Sequence, residues 1–342
     1  MKLNRRQLTT TGLIAASIFL LATSTGCGDV SSSSETAQAT PELPQVVCTT
    51  TMIGDIAREV SGDLAEVHVL FGPTVDPHLF RATRDDVALL MRADLVICNG
   101  FGLEGYLEPH LERVHDTSIP LLHVAENILK EDEAMSDAGI VDPHVWMDPS
   151  LWARTAPAIA QALAGAVSFE EAPLARLHER AEALEGRLLQ LDARSQDVLN
   201  SIPEHARTLV TAHDAFRYFG RRYDVNVEGV QGLSTASEGG LQAIEALVDL
   251  IVESKIPAVF VESAVSDRNI KALVEGAAAR SHTVALGGTL HSDAPGDAGT
   301  YFRMVEHNVN TISAALGGAQ LPTLETSSSA NAAADQKVES PQ

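Results

Sequence analysis

The chain has 342 residues, room for about two domains of ~150 residues each, and a composition 45% hydrophobic and 20% charged excludes wholesale disorder. Lys and Arg number 24 against 46 Asp and Glu, a net charge of −22, which argues against nucleic acid or anionic lipid as a partner and suits a protein that handles cations. Three Cys, at positions 27, 48 and 98, are too few for a disulfide framework or a thiolate zinc module.

Residues 1–26 read as a signal peptide, to be left out of the fold: Lys2, Arg5 and Arg6 make a positive start, and Leu13 to Ala22 form an apolar run too short to span a bilayer. Ser24-Thr25-Gly26-Cys27 then puts Cys27 where a bacterial lipoprotein signal is cut and acylated, although Ser24 stands where that box usually opens with Leu. Arg5-Arg6 is a weaker pointer to twin-arginine export. Residues 27–44, rich in Ser, Thr, Ala, Glu and Pro, read as a flexible tether. The expected location is extracytoplasmic, periplasm or cell surface, with lipidation at Cys27 anchoring a soluble body.

Strands are expected at Gln45–Thr50, Glu66–Leu70, Asp94–Asn99, Thr208–Thr211, Ala258–Glu262 and Thr283–Leu286. Helices are expected at Met52–Val60, Thr83–Met91, Leu151–Ala164, Ala215–Tyr223, Leu241–Glu253 and Asp267–Ala279. Strands separated by helices of this length imply βαβ units and an α/β fold of parallel sheets covered by helices. One segment breaks the rhythm. Leu174, Leu177, Ala181, Leu184, Leu188, Leu191 and Val198 hold a helical period, with Gly186 the one glycine between Phe169 and Pro203. A rigid intrachain strut is preferred to a coiled-coil dimer, so a monomer is expected. The strut, 169–200, divides the body into an N-terminal α/β lobe, 45–168, and a C-terminal α/β lobe, 201–318; the tail 319–342 reads as disordered. Cys48 and Cys98 fall in apolar strands as buried small hydrophobes, and a disulfide between them is open only if those strands are neighbours.

Of twelve His, two end the same tripeptide, Asp76-Pro77-His78 and Asp142-Pro143-His144. Proline fixes its own φ and extends the residue before it, so each His rides on a stiff loop. His78 and His213 follow predicted strands, and Asp293 comes shortly after Thr283–Leu286 and an expected Gly287-Gly288 turn. Ligands of open α/β sheets bind beyond the carboxyl ends of the strands. Three imidazoles and a carboxylate, two from each lobe, would thus converge on the cleft as a site for a first-row divalent metal. Spacing by itself leaves that convergence open, because the four residues are far apart in the chain. Glu262 ends a strand facing the cleft, as a hydrogen-bond acceptor behind a ligand or a spare ligand. His291 reads as cleft lining.

From Val46 to Leu316 the chain resembles the TroA-like family, the metal-binding receptor (solute-binding) proteins of zinc and manganese ABC importers. The carrying motifs are Val75-Asp76-Pro77-His78, Asp142-Pro143-His144-Val145-Trp146-Met147-Asp148-Pro149, Thr211-Ala212-His213-Asp214-Ala215-Phe216, Gln231-Gly232-Leu233-Ser234-Thr235, Phe260-Val261-Glu262-Ser263 and Ser292-Asp293. The resemblance implies two α/β lobes joined by one long backbone helix, a metal site in the cleft between them, and metal ligation at His78, His144, His213 and Asp293. It implies an ABC permease in the membrane as partner, with Zn2+ or Mn2+ as transported ligand. Manganese- or iron-type members often carry Glu where this chain has His213. The loop Lys130 to Val141 lacks the His-rich insert common in dedicated zinc receptors.

The expected function is therefore capture of a divalent metal, zinc favoured and manganese next, for delivery to a permease, with no enzymatic activity. The alternatives are a metal-dependent hydrolase, with Glu262 or Asp214 near an activated water, and an adhesin-type surface lipoprotein. Four protein ligands in a closed cleft leave no open position for catalysis.

Overall fold

A computed structural model describes residues 42–321 apart from Glu238. The signal segment 1–26, Cys27, the tether up to residue 41 and the tail from residue 322 lie outside the described residues.

Four short apolar runs build the first sheet: β1 (Gln45–Cys48), β2 (Glu66–Val69), β3 (Leu95–Cys98) and β4 (Leu121–His123). They run parallel in the order β2-β1-β3-β4. Alternate residues feed two cores, as a parallel sheet covered on both faces requires. Val46 and Cys48 join the central cluster, whereas Val47, Val96 and Cys98 join an outer one. The two cysteines therefore sit on neighbouring strands but on opposite faces, and both are free thiols. Burial pushes the Cys48 thiol up to about 12, so both behave as the small hydrophobes the sequence suggested.

The second half carries β5 (Thr208–His213) paired in parallel with β6 (Asn226–Gln231), and β7 (Ala258–Glu262) paired in parallel with β8 (Ala285–Leu290). β5 also lies against β7. Two expectations are corrected here. The strand expected at Thr283–Leu286 starts later and runs on to Leu290, and Gly287-Gly288 lies inside it instead of ending it. The register shifts between Leu286 and Gly288, where φ of +136° suits glycine. A Cβ on Gly287 would meet the Phe260 ring at 2.5 Å, so glycine permits close packing of β8 on β7. The helix expected at Leu151–Ala164 is two pieces, Pro149–Trp152 and Thr155–Ala166.

Helices cover the sheets, and one of them joins the lobes. Glu171–Leu199 is a single helix of 29 residues, about 43 Å long at 1.5 Å per residue. Its buried stripe includes Leu177, Ala181, Leu184, Leu188, Leu191 and Val198, residues that the period singled out. It packs on Thr51–Ser61 and Thr155–Ala166 of the first lobe and on Tyr301–Ala315 of the second. Polar pins add to this packing. Asp192, buried on the helix, accepts from Arg222 Nε at 2.8 Å and from the Tyr223 hydroxyl at 3.1 Å, and Arg180 donates to the Ser61 carbonyl at 2.8 Å. The architecture is two α/β lobes with parallel sheets, joined by one long backbone helix.

Candidate metal centre

The four predicted ligand positions come from four separate segments. His78 stands on the loop after β2. His144 follows a two-residue antiparallel hairpin, Ser136–Asp137 with Ile140–Val141. His213 is the last residue of β5, and Asp293 lies just beyond β8. All are buried, His144 and His213 completely, Asp293 at 2% and His78 at 5% exposure. Each offers one donor atom, and these atoms lie within 4.8 Å of one another. Asp293 faces all three rings: Oδ2 is 3.2 Å from His213 Nε2 and 3.8 Å from His78 Nε2, and Oδ1 is 3.5 Å from His144 Nε2. The structure thus brings together the whole predicted quartet.

The surroundings set which ring atom faces inward. His144 Nδ1 bonds Asp142 Oδ1 at 2.7 Å, and His213 Nδ1 bonds Glu262 Oε2 at 2.6 Å. A carboxylate on Nδ1 draws the proton there and leaves the Nε2 lone pair free for a cation. The same carboxylates hold the backbones: Asp142 accepts from the His144 amide and Glu262 from the His213 amide, both at 2.9 Å. Glu262 thus stands where the sequence expected an acceptor. Asp142 is an orienting residue that the sequence reading did not single out, although its Asp-Pro-His tripeptide was the signal.

Among the described residues the inward atoms find no hydrogen-bond partner: Nε2 of His78, His144 and His213 and both oxygens of Asp293 are buried and unpaired. Buried polar atoms in native proteins are almost always satisfied. Five such atoms pointing at one another form a donor set suited to a divalent cation, which would neutralise the carboxylate and take the lone pairs together.

Charge follows the geometry. Burial pulls the His78 imidazole down to about 4, with the Asp293 carboxylate opposing. Burial also disfavours charge on His213, but Asp293 and Glu262 outweigh it and hold that ring well above the usual histidine range. Burial would raise Asp293, yet His213, His78 and His144 together hold it well below the usual carboxylate range. His291 is no part of the quartet. Its ring faces the Ser263 hydroxyl at 3.0 Å and Asp297 at 3.1 Å.

One further side chain ties the ligand loops together. The buried Trp146, two residues after His144, donates its indole N–H to the Ser292 carbonyl at 2.8 Å, next to Asp293. Its own carbonyl accepts from the Tyr301 hydroxyl at 2.7 Å.

The family described as "Zinc-uptake complex component A periplasmic" matches residues 46–315. A manganese-binding lipoprotein, MntA of Bacillus subtilis, is 42% identical over 89% of this chain and 99% of its own length. The zinc-binding protein TroA of Treponema pallidum is 38% identical over 80% of this chain and 89% of its own length. Its solved structure superposes with a TM-score of 0.76 at 39% identity, covering 80% of this chain and 99% of that one. The iron-binding protein YfeA of Yersinia pestis is 30% identical over 80% of this chain and 86% of its own. The matched stretch begins within β1 and takes in all four segments of the quartet, so the chain belongs to this family of periplasmic metal-binding receptors of ABC importers.

Proposed function

We propose that the chain captures one divalent first-row metal ion through His78, His144, His213 and Asp293, with zinc held more tightly than manganese, and delivers it to a membrane permease as a monomeric, non-enzymatic receptor. The observation that carries this reading is the set of buried, mutually facing, unpaired donor atoms between two lobes. Four protein donors complete a tetrahedral set, whereas catalytic zinc keeps one position open for water. The relatives' names divide among manganese, zinc and iron, so the preference rests on the donors. Three imidazole nitrogens suit zinc, manganese prefers oxygen, and the Irving–Williams order points the same way. The Lys130–Val141 loop lacks extra histidines, which weighs toward manganese, but that loop adds nothing to the inner donor set.

The domain bounds 45–168, 169–200 and 201–318 belong to the same reading, as does acylation of Cys27 on a chain that reaches the outer face of the membrane. The word lipoprotein in the name of the Bacillus relative supports that anchor. Among the described residues no helix is long and apolar enough to cross a membrane. The deciding experiment is metal analysis of protein purified without chelator, followed by competition titration with zinc and manganese. One ion per chain, with zinc displacing manganese, is expected. A chain that neither carries nor takes up metal, or that turns over a hydrolysable substrate when loaded, would overturn the reading.

A further inference from the structure

Two histidines of the quartet have their rings fixed from behind, by Asp142 and by Glu262. His78 is held differently. Asp76 stands in the same tripeptide position as Asp142, yet among the described residues its Oδ1 accepts only from the His78 backbone amide, at 2.9 Å. Its other oxygen turns to the opposite lobe and accepts a hydrogen bond from the Thr235 hydroxyl at 2.6 Å. Thr235 lies on the loop between β6 and the helix Leu241–Glu253. The same stretch is tied across a second time. The Gly296 amide, just past Asp293, donates to the Pro73 carbonyl at 2.7 Å. Pro73 to His78 is therefore strapped to the C-terminal lobe at two points, one of them through a side chain.

We propose that Thr235 is a positioning residue of the metal site: its hydroxyl, by holding Asp76 across the cleft, fixes His78 in place and slows the departure of the metal. The proposal rests on the four-ligand reading given above. A hydrogen bond to a carboxylate is shorter and stronger than a neutral one. Pro77 makes the link between Asp76 and His78 stiff, so a shift of one carries the other. His78 is also the most exposed of the four, and among the described residues no carboxylate bonds its Nδ1 as Asp142 and Glu262 bond those of His144 and His213. The strap thus supplies the order that Asp142 and Glu262 give the other two rings. Without it, part of the binding free energy goes into ordering the loop.

The test uses zinc-loaded chain mixed with excess chromophoric chelator, reading the first-order release of the ion. Thr235→Val removes the hydroxyl and keeps the shape; Thr235→Ser keeps the hydroxyl. Release from the Val variant should be about tenfold faster, a factor equivalent to about 1.4 kcal/mol. The Ser variant should stay near wild type, and all three should bind one zinc and melt together when metal-free. Wild-type release from the Val variant, or Ser and Val equally fast, would overturn the role of the hydroxyl while leaving the four-ligand reading intact. A wild-type chain that takes up no zinc would overturn both.

Discussion

The ring of His144 is completely buried, bonded to Asp142 on one nitrogen and facing Asp293 with the other. A side chain so placed contributes to a metal site more than to a core. Among the described residues His78 has no such bond, and its Nε2 is buried without a partner. His78→Ala is therefore expected to lower zinc affinity by orders of magnitude while the metal-free melting temperature changes little, because removal of an unpaired buried donor offsets the lost contacts. Titration calorimetry beside a thermal melt checks this, and a metal-free protein that unfolds while the remainder binds zinc normally would contradict it. His213→Glu exchanges a nitrogen for an oxygen donor and should weaken zinc more than manganese; competition titration giving the reverse order would count against the zinc assignment.

Acidity belongs to this scale too. The unfolded-state imidazole titrates near ~6.5. The folded His213 value is raised, so its stabilisation of the metal-free chain is fully present below ~6.5 and lost as pH rises through the folded value. His78, lowered to about 4, works in the opposite direction: stability is lost as pH falls from ~6.5 toward that value, because the unfolded chain then takes up a proton that the folded ring refuses. Metal must displace the proton on His213, so binding strengthens with pH across neutrality. The zinc-induced rise in melting temperature should accordingly be larger near pH ~8 than near pH ~6. Equal shifts at the two values would speak against a three-histidine site.

At the scale of elements, the helix Glu171–Leu199 separates stability from binding. Leu188 is fully buried on its core stripe. Leu188→Ala should lower the unfolding free energy by about 2–5 kcal/mol, the range for such cavities, and leave zinc affinity of the folded protein unchanged. Denaturant melts with and without zinc would show it. This helix was legible in the sequence because 3,4 spacing of leucines over many turns has few competing explanations. β6 and β4 were not. Glu228 and Gly229 interrupt the apolar pattern of the first, and β4 has only three residues. The Gly287-Gly288 pair reads locally as a turn, and only the Phe260 ring against β8 explains its place inside a strand.

For the molecule as a whole, a metal bound between two lobes stabilises the folded state by mass action, about 4.1 kcal/mol at a thousand times Kd. Cys27→Ser should leave that stabilisation intact and move the exported protein from the membrane fraction to the soluble one. Retention in the membrane fraction would argue against acylation there.

What the sequence determined by itself were local matters and chemical inventory. Periodicity marked the strut, β-branched runs marked most strands, and the two Asp-Pro-His tripeptides flagged two candidate ligands on stiff loops. Their places after predicted strands singled out the other two candidates, His213 and Asp293, and the family motifs strengthened all four. What only the tertiary structure decided were the relations among distant residues. Cys48 and Cys98 lie on adjacent strands yet face opposite cores. Asp142 turns to its own histidine while Asp76, in the same tripeptide, reaches Thr235 of the other lobe. Nothing in the spacing of a chain distinguishes those two aspartates, because a hydrogen bond depends on the position of a partner 159 residues away, and that position is set by the packing of both lobes on the long helix.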